Sequence, residues 1–166
     1  MRRGDLVRYD PEAQTARIYF EQTRFRKRDG QPGAKADIDA VYIPEPDAPA
    51  LLPVLSTKSG HRLGENLLRS QDGDVARYDP DEDEAVPFML EGRVFRDRNG
   101  QLGAQGEIDA VHVLPGGDQV VFSTGGQGRV GANLLEVRKG DLVHYTLSMD
   151  SARILFSQDN FRDSNG

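Results

Sequence analysis

The 166-residue chain contains no cysteine and no tryptophan. Without cysteine it has no disulfide, no thiolate metal site and no cysteine nucleophile. Without tryptophan, a sugar-binding surface built on aromatic loop tips lacks its largest ring. Histidine is scarce, with His61, His112 and His144 alone. No apolar run reaches the length of about 18 residues that a membrane-spanning helix needs. Positive charge is in deficit: 21 Lys and Arg stand against 27 Asp and Glu, for a net charge of -6 and a pI near 5.1. Phosphate neutralisation needs a basic face, so this balance argues against nucleic acid as the main partner. A signal-peptide pattern is also missing, because residues 1–7 enter a strand-like run at once. The expectation is a cytosolic protein or a piece of something longer.

What is present is internal recurrence. The run Gly-Asp-Leu-Val-Arg-Tyr-Asp-Pro at 4–11 returns as Gly-Asp-Val-Ala-Arg-Tyr-Asp-Pro at 73–80, and as Gly-Asp-Leu-Val-His-Tyr at 140–145. Phe25-Arg26 returns as Phe95-Arg96 and Phe161-Arg162, each followed by Asp/Asn-Gly. Ile-Asp-Ala-Val occurs at 38–41 and 108–111, and Asn-Leu-Leu at 66–68 and 133–135. Repeats at such spacing determine the architecture before any local propensity does. The units are 4–72, 73–139 and an incomplete 140–166, read as a single repeat domain spanning 1–166. The 37% hydrophobic content, with 18 glycines and 9 prolines dispersed along the chain, fits a turn-rich globular protein.

Each period carries four strand signals. The Gly-Asp block opens a run ending at Tyr. An Asp-Pro turn follows, because Pro presets φ and Asp caps its own backbone. Next come 16–20, 85–89 and 152–156, where Ala, Ile/Pro and Phe/Met at period two predict one shared face. Pro87 cannot donate to a ladder, so its strand is expected at a sheet edge. A Gly-rich loop of about 15–20 residues, long enough to suggest function, leads to Ile-Asp-Ala-Val and a hairpin. In the second copy that hairpin turns at Pro115-Gly116-Gly117. In the first it is two residues longer and holds Pro53 in its second strand, which predicts a bulge or local loss of pairing.

Four antiparallel strands in a fixed period predict an all-β fold of four-stranded, propeller-like blades. Ile-Asp-Ala-Val would be the inner strand and the Pro87 strand the outer one. The chain would hold about two and a half blades of a propeller that closes with four to eight, and so be a fragment of a larger protein. An open curved stack or a solenoid-like array are the alternatives. Tyr9, Tyr78, Tyr145, Phe20, Phe88, Phe122 and Phe156, with the Leu-Leu pairs, are expected between the sheets.

The combination of Ile-Asp-Ala-Val, Leu-Pro-Gly-Gly, Phe-Ser-Thr, Asn-Leu-Leu and Gly-Asp-Leu-Val-x-Tyr-Asp-Pro resembles a poorly characterised family of bacterial tandem-repeat proteins with propeller-like blades. The resemblance implies an exported or surface-associated protein and assigns no chemistry. The chain departs from the pattern in the proline-rich hairpin at 44–53 and in the third copy, where Tyr145-Thr146-Leu147 replaces the Asp-Pro turn.

Among polar residues, Asp39 and Asp109 come first. Each opens a predicted inner strand, so copies would ring a channel mouth with carboxylates, and several oxygens together suit Ca²⁺. The plainer reading is a carboxylate locking its own turn by charge-assisted bonds. Asp5, Asp74 and Asp141 recur after glycine and read as turn caps; Asn66 and Asn133 read likewise. The acidic run 79–84 imitates the start of a Ca²⁺ loop, but has Glu84 where glycine is needed and Leu90 where a bidentate Glu is needed. It is expected to be a solvated hairpin tip. Ser56-Thr57 and Ser123-Thr124 lie outside any nucleophile-elbow pattern. The histidines share no motif. Arg24, Arg26, Lys27 and Arg28 form the one basic cluster, able to meet an anionic glycan or phosphate.

Two functions fit these features. The first is a non-enzymatic repeat module, a scaffold or interaction surface for an unspecified protein or glycan partner, completed by the remaining blades of a parent chain or by self-association. It needs no cofactor. The second is a Ca²⁺-dependent propeller hydrolase of the lactonase type, with Asp39 and Asp109 at the channel.

Overall fold

The computed structural model describes residues 5–44 and 52–160. Every strand pairing in it is antiparallel. The Gly-Asp run forms β1 (Leu6–Asp10), which turns through Pro11 into β2 (Thr15–Phe20) as a two-stranded sheet. The Asp10 Oδ1 atom accepts the N–H groups of Glu12 and Ala13, so the Asp-Pro pair makes the turn as its chemistry predicts.

The Gly-rich loop is not structureless. After a 3-10 turn at Gln22–Arg24 it contains β3 (Phe25–Arg26), and it leads into β4 (Ile38–Tyr42) and β5 (Val54–Thr57). The chain next leaves for a short hairpin, β6 (His61–Leu63) and β7 (Leu68–Ser70). It returns as β8 (Val75–Asp79) and β9 (Glu84–Met89). Two sheets interleave here: a four-stranded β4-β5-β8-β9 and a three-stranded β3-β6-β7.

The same order recurs in the second copy. A single turn of helix α1 (Glu91–Val94) and β10 (Phe95–Arg96) precede β11 (Ile108–Val113) and β12 (Gln119–Thr124). Then come β13 (Gly128–Val130), β14 (Leu135–Val137), β15 (Leu142–Thr146) and β16 (Ser151–Phe156). The sheets are β11-β12-β15-β16 and β10-β13-β14. One period therefore holds a second sheet as well as the four strands expected. Its strands have two or three residues, too short to show alternation.

β9 lies at a sheet edge, where Pro87 needs no ladder partner. β4 forms the opposite edge and runs beside β11 without joining it in one sheet; Tyr42 and His112 meet there edge to face at 5.1 Å. The hairpin expected at 44–53 lies largely outside the described residues, since 45–51 are not described. β5 begins after Pro53, whose carbonyl still accepts the Tyr78 N–H at 2.9 Å.

The outer strands depart from plain alternation. Val75 pairs with Met89 but Ala76 with Pro87, so a bulge intervenes; the same shift occurs at Leu6/Val7 and Leu142/Val143. An extra residue reverses the facing of the residues beyond it. Ala85 and Met89, expected on one face, therefore enter different cores.

Those cores lie on the two sides of the middle sheet. Its back face presents Leu55, Ala76, Tyr78 and Ala85 to Phe20, Phe25 and Leu63. Its front face presents Val54, Val75 and Met89 to Val111, Phe122, Val143, Tyr145 and Ala152 of the next sheet. Coverage on both sides explains why all four residues of β5 are buried. Among the described residues, the two end sheets are covered on one side only. Tyr9 remains 60% exposed and Phe156 38% exposed, against the expectation that both fill inter-sheet space. Leu134 is also outside, at a turn with φ 53.

Candidate functional site

The recurrent aspartates of the Gly-Asp block hold backbone. Asp74 accepts the N–H of Glu91 through Oδ1 and that of Gln71 through Oδ2. Asp141 does the same for Gln158 and Arg138, and Asp5 accepts from Gln22. Each carboxylate ties the start of one strand to the turn after its partner strand. Asn66 donates to the Ala85 carbonyl and accepts the Ala85 N–H, so its amide acts as a one-residue strand on the open edge of β9. Asn133 repeats this with Ala152.

Asp39 and Asp109 sit on the adjacent strands β4 and β11. Asp39 is mostly buried and paired with Lys58 at 3.5 Å. Burial pushes its carboxyl above the usual range and Lys58 opposes this, while Asp72 and Asp109 add to the rise. In the second copy Gly125 takes the place of Lys58, and the carboxylates of Glu107 and Asp109 close over it. Among the described residues, no group of three or more His, Asp or Glu side chains is placed to hold a metal ion.

The acidic run 79–84 is not wholly a solvated tip. Asp79 caps the turn through Asp81 and Glu82, but Asp83 is buried. It accepts the Tyr78 hydroxyl at 2.6 Å and bonds from Arg26 at 2.8 Å and Arg24 at 3.1 Å. Tyr145, Asp150 and Arg96 form the equivalent cluster. Sequence reasoning missed both. The signal was available, because Asp83 and Asp150 come after their tyrosines at one spacing, with Gln14 in that position after Tyr9.

Among the described residues no two histidines are bonded to each other, although His112 and His144 flank Val121 in one cross-strand row. His61 sits on β6, bonded to Ser59 at 2.8 Å and edge-on to Phe25; burial lowers its pKa. His112 packs on Tyr42, and His144 lies between Gln119 and Arg153. Thr57 and Thr124 donate to nearby carbonyls, and the buried Ser56 hydroxyl has no hydrogen-bond partner among the described residues.

The basic cluster gains most from the fold. In the sheet β3-β6-β7, Phe25, Leu63 and Leu68 are opposite one another, as are Arg26, Arg62 and Arg69. Period-two alternation turns the first row to the core and the second outward. The outward row lines a groove of about 530 Å³ that also receives Lys27, Arg28 and His61. Arg24 is drawn aside to Asp83. In the second copy the corresponding row is Arg96, Arg129 and Glu136, and Arg129 pairs with Glu136 at 2.8 Å. The two grooves share a frame and differ in charge.

Compared with protein-family models, curated proteins and solved structures, the chain shows no significant match.

Proposed function

We propose that the chain is a non-enzymatic, propeller-like repeat module, a scaffold and interaction surface completed by further units of its own kind. One observation carries the reading: successive sheets stack front on back through equivalent residues, and among the described residues apolar side chains are exposed on the outward faces of the first and last sheets. Val54 and Val75 are buried on the front of the middle sheet, whereas their counterparts on the last, Val121 and Leu142, are half-buried and exposed. At the other end Val7, Tyr9 and Ile18 are exposed on the first sheet. Exposed apolar faces of this kind mark association surfaces. The side-by-side run of β4 and β11 is what inner strands of neighbouring blades would adopt around an axis. The resemblance to bacterial exported repeat proteins adds a context, an envelope or secreted assembly.

The recurring polar residues support a structural use, since Asp74, Asp141, Asn66 and Asn133 all satisfy backbone groups of their own units. Light scattering across a concentration series tests the reading. The wild type is expected to associate, and Leu142→Glu to remain monomeric. A wild-type monomer at every concentration, with stability equal to that of Leu142→Glu, would count against completion by further units. Ca²⁺-dependent lactone or ester hydrolysis lost in Asp109→Asn would overturn the non-enzymatic part.

A further inference from the structure

We infer that the groove over β3-β6-β7 is a binding site for a small polyanion carrying phosphate or sulfate groups. This deepens the interaction-surface reading and rests on it, adding a ligand class and an address.

The strand pairing creates an unfavourable arrangement of charge. Like charges directly opposite across strands destabilise a sheet. Neighbouring strands lie about 4.8 Å apart, so Arg26, Arg62 and Arg69 form a row roughly 10 Å long. Arg26 is neutralised by Asp83, with Glu65 farther off at 3.8 Å. Arg62 and Arg69 have no ion pair among the described residues, and Lys27 and Arg28 add to the same groove. The positive charge is concentrated here in a chain whose net charge is -6.

The second copy serves as an internal control. It keeps the strands, the register and the half-buried Arg96–Asp150 pair, yet places Glu136 where the first copy has Arg69. Arg129 is consequently satisfied by Glu136 and by the Arg98 carbonyl. The frame needs no arginine at that position, so Arg69 serves something other than folding.

Shape and chemistry narrow the ligand. A volume near 530 Å³ fits a molecule of disaccharide or oligophosphate size. Among the described residues that line the groove none is Phe, Tyr or Trp, and its one ring, His61, meets Phe25 edge to face and bonds to Ser59, so the groove lacks a large aromatic platform for a nucleobase. Planar guanidinium forks match tetrahedral oxyanions in a bidentate manner. Two or more such groups along a row of this length would engage Arg62 and Arg69 together.

Calorimetric titration with inorganic triphosphate and with a trisulfated heparin disaccharide tests the site at low and moderate salt. The wild type is expected to bind at one site per chain, more weakly as salt rises. Arg69→Glu, which copies the second unit's own pairing, is expected to fold normally and bind at least tenfold more weakly. Glu136→Arg is expected to create a second site. Preference for triphosphate would assign a phosphate ligand, and preference for the disaccharide a sulfated sugar. Failure of both probes, or equal binding by wild type and Arg69→Glu, would overturn the site. Hydrolysis of bound triphosphate, sensitive to Arg69→Glu, would support the site while sinking the non-enzymatic reading.

Discussion

Tyr78 donates its hydroxyl to Asp83 Oδ1 at 2.6 Å, while Arg26 holds the other oxygen of that carboxylate at 2.8 Å. The tyrosine belongs to the middle sheet and the arginine to the small sheet, so one buried carboxylate joins the two. Asp83 adopts φ 52, in the region Asn and Asp tolerate best. Asp83→Asn keeps that backbone and removes the charge, and is expected to cost about 1–3 kcal/mol in urea denaturation. A double-mutant cycle with Tyr78→Phe should show coupling well above zero. Additive effects would mean that the two groups act separately.

The same cluster predicts a dependence on pH at both extremes. Burial, then the bond to Asp83 or Asp150, pushes the phenols of Tyr78 and Tyr145 far up. Their folded pKa exceeds the unfolded value, so their contribution is full below a pH of about 10 and declines above it. Burial also acts to raise Asp83, but Tyr78, Arg26 and Arg24 together hold it below the usual range. Its contribution is present above a pH of about 4 and is lost on further acidification. Denaturation midpoints across pH, compared with those of Tyr78→Phe/Tyr145→Phe, should lose the alkaline slope and keep part of the acid one.

Gly106 and Ala36 occupy equivalent places beside Phe95 and Phe25. A methyl group on Gly106 would lie 2.2 Å from the buried Phe95 ring. Gly106→Ala is therefore expected to destabilise by about 1–3 kcal/mol through overpacking, read as a lowered thermal midpoint. Ala36 is itself buried against Phe25 in the first copy, so the two copies have settled this contact differently. Unchanged stability in Gly106→Ala would show that Phe95 moves aside freely.

Asn66 supplies both a donor and an acceptor to Ala85 on the open edge of β9. Asn66→Ala should speed hydrogen exchange at the Ala85 amide while leaving amides between β5 and β8 slow. Protection unchanged at Ala85 would mean that the Asn amide does not cover that edge.

Much of the frame is legible from periodicity and turn chemistry. The strands through Tyr9, Tyr78 and Tyr145 follow from alternation and an adjoining turn, and Pro87 identifies its own strand as an edge. The small sheets are not legible, because β3 and β10 have two residues each and β6, β7, β13 and β14 three, less than one readable alternation. The bulges before Phe20, Met89 and Phe156 leave no mark either, since a bulge depends on how the partner strand lies. In the sequence the basic cluster is only a local run. Arg62 and Arg69 join it through pairing across strands far apart in the chain, and Arg24 leaves it for Asp83. Asp83 reads as solvated in the sequence because its neighbours Asp81, Glu82 and Glu84 are polar and, in the fold, exposed.

By itself, the sequence determined an all-β protein of recurring segments, because strand alternation, Asp-capped turns and edge prolines are local properties that each copy states for itself. Tertiary structure alone decided which equivalent residues are covered and which are bare. Tyr9 and Tyr78 have the same local context, yet one is exposed and the other buried, since burial depends on whether another sheet lies against that face. It also decided charge: among the described residues Arg62 has no ion pair and Arg129 is neutralised, because each meets whatever side chain the neighbouring strand presents.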